Sequence, residues 1–164
     1  MRPQTSPRVR PLVALAIAAV LAAAPARLAA QAPEEAAIAV LHRLFEGMRT
    51  ADSGMVRSAF APGARFAMVN ARQTPPAVRY DSPDGWIAAI ATSNRAWDEQ
   101  VYDVKASVDG GIAHVWAPYT FYLNGAISHC GVNTVSLLKV GEEWKVTQIA
   151  DSRRREGCPD PLKK

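Results

Sequence analysis

At 164 residues the chain holds enough sequence for one hydrophobic core and too little for two. Its nineteen Lys and Arg outnumber fifteen Asp and Glu, but the excess lies at the amino end, where Arg2, Arg8, Arg10 and Arg27 flank an uncharged run from Leu12 to Ala26 and no acid occurs. Without that segment nineteen bases fall to fifteen, against fifteen acids, and a neutral chain carries no electrostatic footprint for nucleic acid.

The order of that segment, basic, then apolar, then small residues through Ala29 and Ala30, is the pattern of a cleavable secretory leader over residues 1–30. Ala30–Gln31 is the expected cleavage bond, because a cut after Ala32 places Pro33 just past it. The apolar run is shorter than the ~20 residues that a bilayer span requires, so no membrane span is expected after cleavage. No Cys follows the run, which argues against a lipid anchor. The mature protein, residues 31–164, is expected to be periplasmic or secreted. In such an oxidising compartment the only two cysteines, Cys130 and Cys158, read as a disulfide, worth ~3–4 kcal/mol through loop closure.

Ile38, Leu41, Phe45 and Met48 recur at helical spacing within Glu34–Thr50 and predict a first amphipathic helix. Asp52-Ser53 reads as an N-cap for a short second helix to Phe60, broken by Ala61-Pro62-Gly63. A strand is expected over Arg65–Asn70, a loop at Gln73–Pro76, and a third helix from Ser82-Pro83-Asp84 to about Ser93. Four strands follow. The first, Tyr102–Val108, alternates apolar and polar residues and ends at an Asp109-Gly110-Gly111 turn. Ile112–Leu123 and Ala126–Val140 flank Asn124-Gly125, a strong hairpin signal. Glu143 to about Ser152 closes the sheet after Gly141-Glu142, and an irregular tail runs through Cys158. Helices followed by a long antiparallel meander give an α+β class.

The leading helix, the step Phe60-Ala61-Pro62-Gly63-Ala64-Arg65-Phe66 and the closing hairpin Leu137–Val146 together resemble the nuclear-transport-factor-2-like superfamily, in particular its SnoaL-like and ketosteroid-isomerase-like small bacterial proteins. His129-Cys130-Gly131 and Asp151-Ser152-Arg153-Arg154 resemble a secreted subgroup named for lumazine binding. The resemblance implies a conical, curved antiparallel sheet packed on the N-terminal helices around a pocket. It also implies a homodimer paired through the outer face of the sheet. The superfamily includes isomerases, dehydratases, cyclases and simple binders, so the fold does not choose among them.

Pairing the strands through the two turns, with Asp109-Gly110-Gly111 as a three-residue turn, sets Val108 opposite Ile112 and Thr120 opposite His129. Opposed residues share a face. The inward face then carries Tyr102, His114, Trp116, Thr120, Tyr122, His129, Asn133 and Val135, together with Trp144 and Val146. Of these, Tyr102, His114, Trp116, Tyr122 and Asn133 are the candidate ligand-binding residues. His129 is the candidate catalytic residue, as a general base near neutral pH, or else a histidine that holds the sheet edge near Arg154. Ala113, Val115, Ala117, Tyr119 and Phe121 fall on the outer face, as a dimer strip. A turn that differs by one residue, or a bulge at Pro118, would flip a strand.

No phosphate-binding Gly-rich loop, Gly-x-Ser-x-Gly or Cys-x-x-Cys occurs, and the three histidines lack metal-ligand spacing, so no metal and no cofactor are expected. On this register no acid faces the pocket unless a bulge in the last strand turns Asp151 inward. Three functions follow as alternatives: an extracytoplasmic binder of a small apolar or aromatic molecule, a cofactor-free isomerase, dehydratase or cyclase, and an interaction module with an empty cone, which a cavity filled by Trp116 and Tyr122 would favour.

Overall fold

The structure is a computed structural model and describes residues 24–70 and 74–163. In chain order the elements are α1 (Ala24–Arg49), α2 (Ser53–Ala59), β1 (Phe60–Asn70), β2 (Ala77–Asp81), α3 (Asp84–Thr92), β3 (Trp97–Val101), β4 (Lys105–Asp109), β5 (Ile112–Leu123), β6 (Ala126–Val140) and β7 (Glu143–Arg154). The leader expected over residues 1–30 lies for its greater part outside the described residues. Helix α1 begins before the expected Glu34, since the alanine-rich sequence ahead has high helix propensity, and it carries Pro33 inside it.

The α2 cap is the one the sequence suggests, whereas α3 starts one residue later than expected, with Pro83 at its N-cap and no side-chain cap bond. Asp52 accepts a hydrogen bond from the Met55 amide at 2.8 Å and opens α2. Ser82 Oγ accepts from the Asp84 amide at 3.2 Å ahead of α3. Ala61-Pro62-Gly63, expected as a break, lies inside β1, where the pairing with β7 is irregular between Phe60 and Arg65 and Gly63 takes φ 76°. β2 and β3 were not expected.

The strands form one sheet in the order β2-β1-β7-β6-β5-β3, with β4 also paired to β5. All neighbours are antiparallel except β1 and β7. β3 and β4 share one edge of β5, parted by Tyr102–Val104, where Asp103 takes φ 48°. This breaks the single strand expected over Tyr102–Val108.

One strand is turned over relative to the sequence reading. Asp109, not Val108, pairs with Ile112, because the turn is two residues, Gly110-Gly111. In the β5–β6 hairpin Leu123 does pair with Ala126, but a bulge between Phe121 and Tyr122 then sets Phe121 opposite His129 and Thr120 opposite Cys130. Each difference is a single residue, so β5 alone presents its other face. Ala113, Val115, Ala117 and Tyr119 are buried inside, which removes them as a dimer strip. His114 and Trp116 point outward and are exposed. The inward sets on β4 and β6, including Val108, Asn133 and Val135, stand as read.

The core lies between the inner sheet face and the helices. Leu41, Leu44, Phe45 and Met48 of α1 pack with Ile87 and Ile90 of α3 and with Val115, Val135, Leu137, Val146 and Ile149 of the sheet. Each such side chain contributes ~1.5–3 kcal/mol on burial. On the outer face the tail folds back and is tied by a Cys130–Cys158 disulfide. Thr120 Oγ1 donates to the Pro159 carbonyl at 2.9 Å, and the Tyr122 hydroxyl donates to Asp160 Oδ1 at 2.6 Å.

Candidate functional site

A cavity of about 260 Å³ opens between α1, α3 and the inner sheet face. Its apolar wall is Leu44, Phe45, Phe66, Met68, Trp86 and Ile149, and its polar wall is Glu99, Tyr119, Asn133, Asp151 and Arg153. The sheet supplies every polar group. Strand alternation on β3 turns Trp97, Glu99 and Val101 to one face, and the pairings Asn133–Asp151 and Ala117–Asn133 align β5, β6 and β7 beside it.

Asn133 Nδ2 donates to Glu99 Oε1 at 2.6 Å. Burial pushes the Glu99 carboxyl up to about 7; the Asn133 hydrogen bond opposes the rise, and the nearby Asp151 charge adds to it. The Tyr119 hydroxyl donates to the Ser152 carbonyl at 3.1 Å and lies 3.4 Å from Asp151 Oδ2. Burial, and after it the Asp151 and Glu99 charges, raise the tyrosine well above its ordinary value, so it stays a hydrogen-bond donor. Arg153 Nη2 reaches Asp151 Oδ2 at 3.3 Å from the rim.

A larger cleft, about 620 Å³, opens around Arg57, Phe60–Arg65 and Tyr80–Asp84. Its ion pair, Arg57–Asp84 at 2.6 Å, is exposed on both sides, and no sequence-predicted site residue lies there. The smaller cavity combines a partly buried acid, a buried amide and aromatic walls, which is the make-up of a ligand site.

No protein-family model matches the chain, and no curated protein matches it in sequence. Solved structures do match in shape. A proposed dehydratase of the nuclear-transport-factor-2-like family from Streptomyces avermitilis superposes with a TM-score of 0.58 at 16% identity, over 76% of this chain and 97% of that one. The fold is the nuclear-transport-factor-2-like one. A proposed ketosteroid isomerase from Shewanella frigidimarina gives 0.54 at 15% identity, over 71% and 94% of the two chains. A protein of unknown function with a cystatin-like fold from Nostoc punctiforme gives 0.60 at 10% identity, over 78% and 93%.

Within the nuclear-transport-factor-2-like fold, the sequence-predicted residues do not assemble as one set. Asn133 lines the cavity. His129 is on the same face but behind it, stacked on Phe121 at 4.8 Å and edge-on to Tyr119 at 5.8 Å, with Ser128 Oγ 3.2 Å from Nδ1. Burial, with Arg153 second, lowers it to about 4, so the ring is neutral at pH 7. Tyr122 lies on the outer face beneath the tail, and Trp116 and His114 lie on that face in the open. Tyr102 sits in the β3–β4 connection, its amide donating to the Pro118 carbonyl at 3.0 Å. The flipped β5 accounts for His114, Trp116 and Tyr122. With Trp116 and Tyr122 outside, neither fills the cavity as an interaction module would require.

Four polar residues were missed. Asp151 comes inward because the β6–β7 pairing shifts between Ser136 and Leu137, the kind of bulge that would bring it in. Tyr119 belonged to the flipped strand. Arg153 was read only as part of a basic cluster. Glu99 sits in Trp97-Asp98-Glu99-Gln100-Val101, three polar residues in a row; the one available signal was the alternation of Trp97, Glu99 and Val101.

Proposed function

We propose that the protein binds a small, largely apolar or aromatic molecule in the cavity between sheet and helices, and that Glu99 moves a proton on that molecule without a cofactor. One observation carries the reading: a carboxyl raised to about 7, held by a neutral amide, opens into an aromatic-walled cavity. Near neutral pH such a group is partly protonated, so it both accepts and donates a proton at low cost. Asn133 fixes its orientation, its side-chain amide donating to Glu99 Oε1 at 2.6 Å. The reaction class is that of a cofactor-free isomerase or dehydratase, and two solved structures with this fold are described in those terms. His129, neutral and packed behind Phe121, serves the wall rather than the chemistry in this reading. A carbon-13 NMR titration of the Glu99 carboxyl is expected to show a midpoint near 7, and a midpoint at the ordinary 4.5 would sink the proton-transfer role.

We further propose export, with residues 1–30 removed. The leader pattern supports it, as does the Cys130–Cys158 disulfide. Terminal sequencing of protein from the producing cells should begin at or near Gln31, and an intact Met1 would refute export. A homodimer through the outer sheet face is proposed on different residues from those first read: Ile112, Trp116 and Leu138 are exposed there. Sedimentation as a monomer at micromolar concentration would count against it.

A further inference from the structure

We infer that the cavity selects a small organic cation, an ammonium group on an apolar or aromatic body, with the charge taken by Glu99 and the aromatic wall. The inference rests on the pocket reading above and names its ligand class. Four aromatic side chains, Phe45, Phe66, Trp86 and Tyr119, line one small cavity together with two carboxyls, Glu99 and Asp151. Ring faces attract cations, by ~0.5–1 kcal/mol in the open and ~2 when water is excluded.

The balance of charge around Glu99 favours the same sign of ligand. Among the described residues that line the cavity Arg153 is the single cation, and it is engaged with Asp151 at 3.3 Å. Behind Glu99 a second cleft holds His42, Glu46 and Arg49 of α1 and Asp98 and Gln100 of β3. Arg49 is engaged there with Glu46 at 2.6 Å. Among the described residues, Glu99 has one hydrogen-bond partner, the neutral amide of Asn133, and forms no ion pair. A carboxyl withdrawn from water with no counterion is held protonated at a cost that a ligand cation would remove. An anionic ligand would meet Asp151 and Glu99 and be repelled.

The test compares three ligands of similar size: 2-phenylethylammonium, neutral 2-phenylethanol and anionic 3-phenylpropanoate, each titrated calorimetrically into the disulfide-bonded protein at about pH 8. The ammonium ion is expected to bind about tenfold more tightly than the alcohol, and the anion more weakly than both. Glu99→Gln, which keeps the size and the acceptor for Asn133, is expected to lose the preference for the cation over the alcohol. For the unaltered protein the preference should shrink at about pH 5.5, where Glu99 takes up a proton while the ammonium ion keeps its charge. Alcohol binding as tight as the cation, or a preference unchanged in Glu99→Gln, overturns the cation selection and leaves the pocket reading standing. No binding of any of the three overturns both.

Discussion

Replacing Glu99 by Gln should change how the stability of the fold responds to pH, by an amount the structure sets. The carboxyl sits at about 7 in the folded protein against an ordinary 4.5. Between those values the folded protein keeps a proton that the unfolded chain has released, so stability falls as pH rises, by ~1.4 kcal/mol per pH unit. The loss is absent below 4.5 and reaches about 3 kcal/mol above 7, an upper value because water reaches part of the side chain. His129 works in the opposite sense. Its folded value of about 4 lies below the ordinary 6.5, so the unfolded chain holds the extra proton and stability rises with pH across that interval. The two slopes offset one another where they overlap, and the unaltered protein should be nearly flat there before declining toward pH 7. Glu99→Gln uncovers the rise due to His129. Its advantage over the unaltered protein should grow from nothing at low pH to about 3 kcal/mol above pH 7, roughly 10 °C in Tm for a domain of this size. Paired urea denaturation curves across this range measure it, and the carboxylates held low by their partners, such as Asp84 and Asp160, titrate alike in both proteins and cancel. A difference between the two proteins that does not vary with pH would refute the reasoning.

Trp116→Ala should cost less than about 1.5 kcal/mol, rather than the ~3–5 of a buried aromatic, because Trp116 is 48% exposed; a larger loss in thermal denaturation would mean that something covers it. At Gly131 a Cβ would run into the Ser152 carbonyl on β7 and stand 3.0 Å from Tyr119 Cε1, and backbone cannot swing aside. Gly131→Ala should therefore cost more than ~3 kcal/mol or abolish soluble protein, and ordinary stability would contradict the β6–β7 register. Cys158→Ser should lose ~3 kcal/mol and release the tail, exposing Tyr122 to solvent; thiol titration of the unaltered, denatured and unreduced protein should read no free thiol.

The sequence by itself determined the three helices, the long hairpin and the disulfide, because these rest on local chemistry. The Asp52 cap needs only its own helix, Asn124-Gly125 needs only its two flanking strands, and two cysteines allow one pairing. It also determined the inward faces of β4 and β6, where apolar and polar residues alternate. The face of β5 was left to tertiary structure. Ile112, Trp116 and Tyr122 on one side are as apolar as Val115, Ala117 and Tyr119 on the other, so hydrophobicity does not choose between them. A two-residue turn at one end and a bulge at the other made the choice. The site followed from that choice. Glu99, Tyr119, Asn133 and Asp151 come from four different strands, and only their register side by side closes them around one cavity. A carboxyl acquires an unusual affinity for its proton from what surrounds it in space, and no local pattern in the chain records those neighbours.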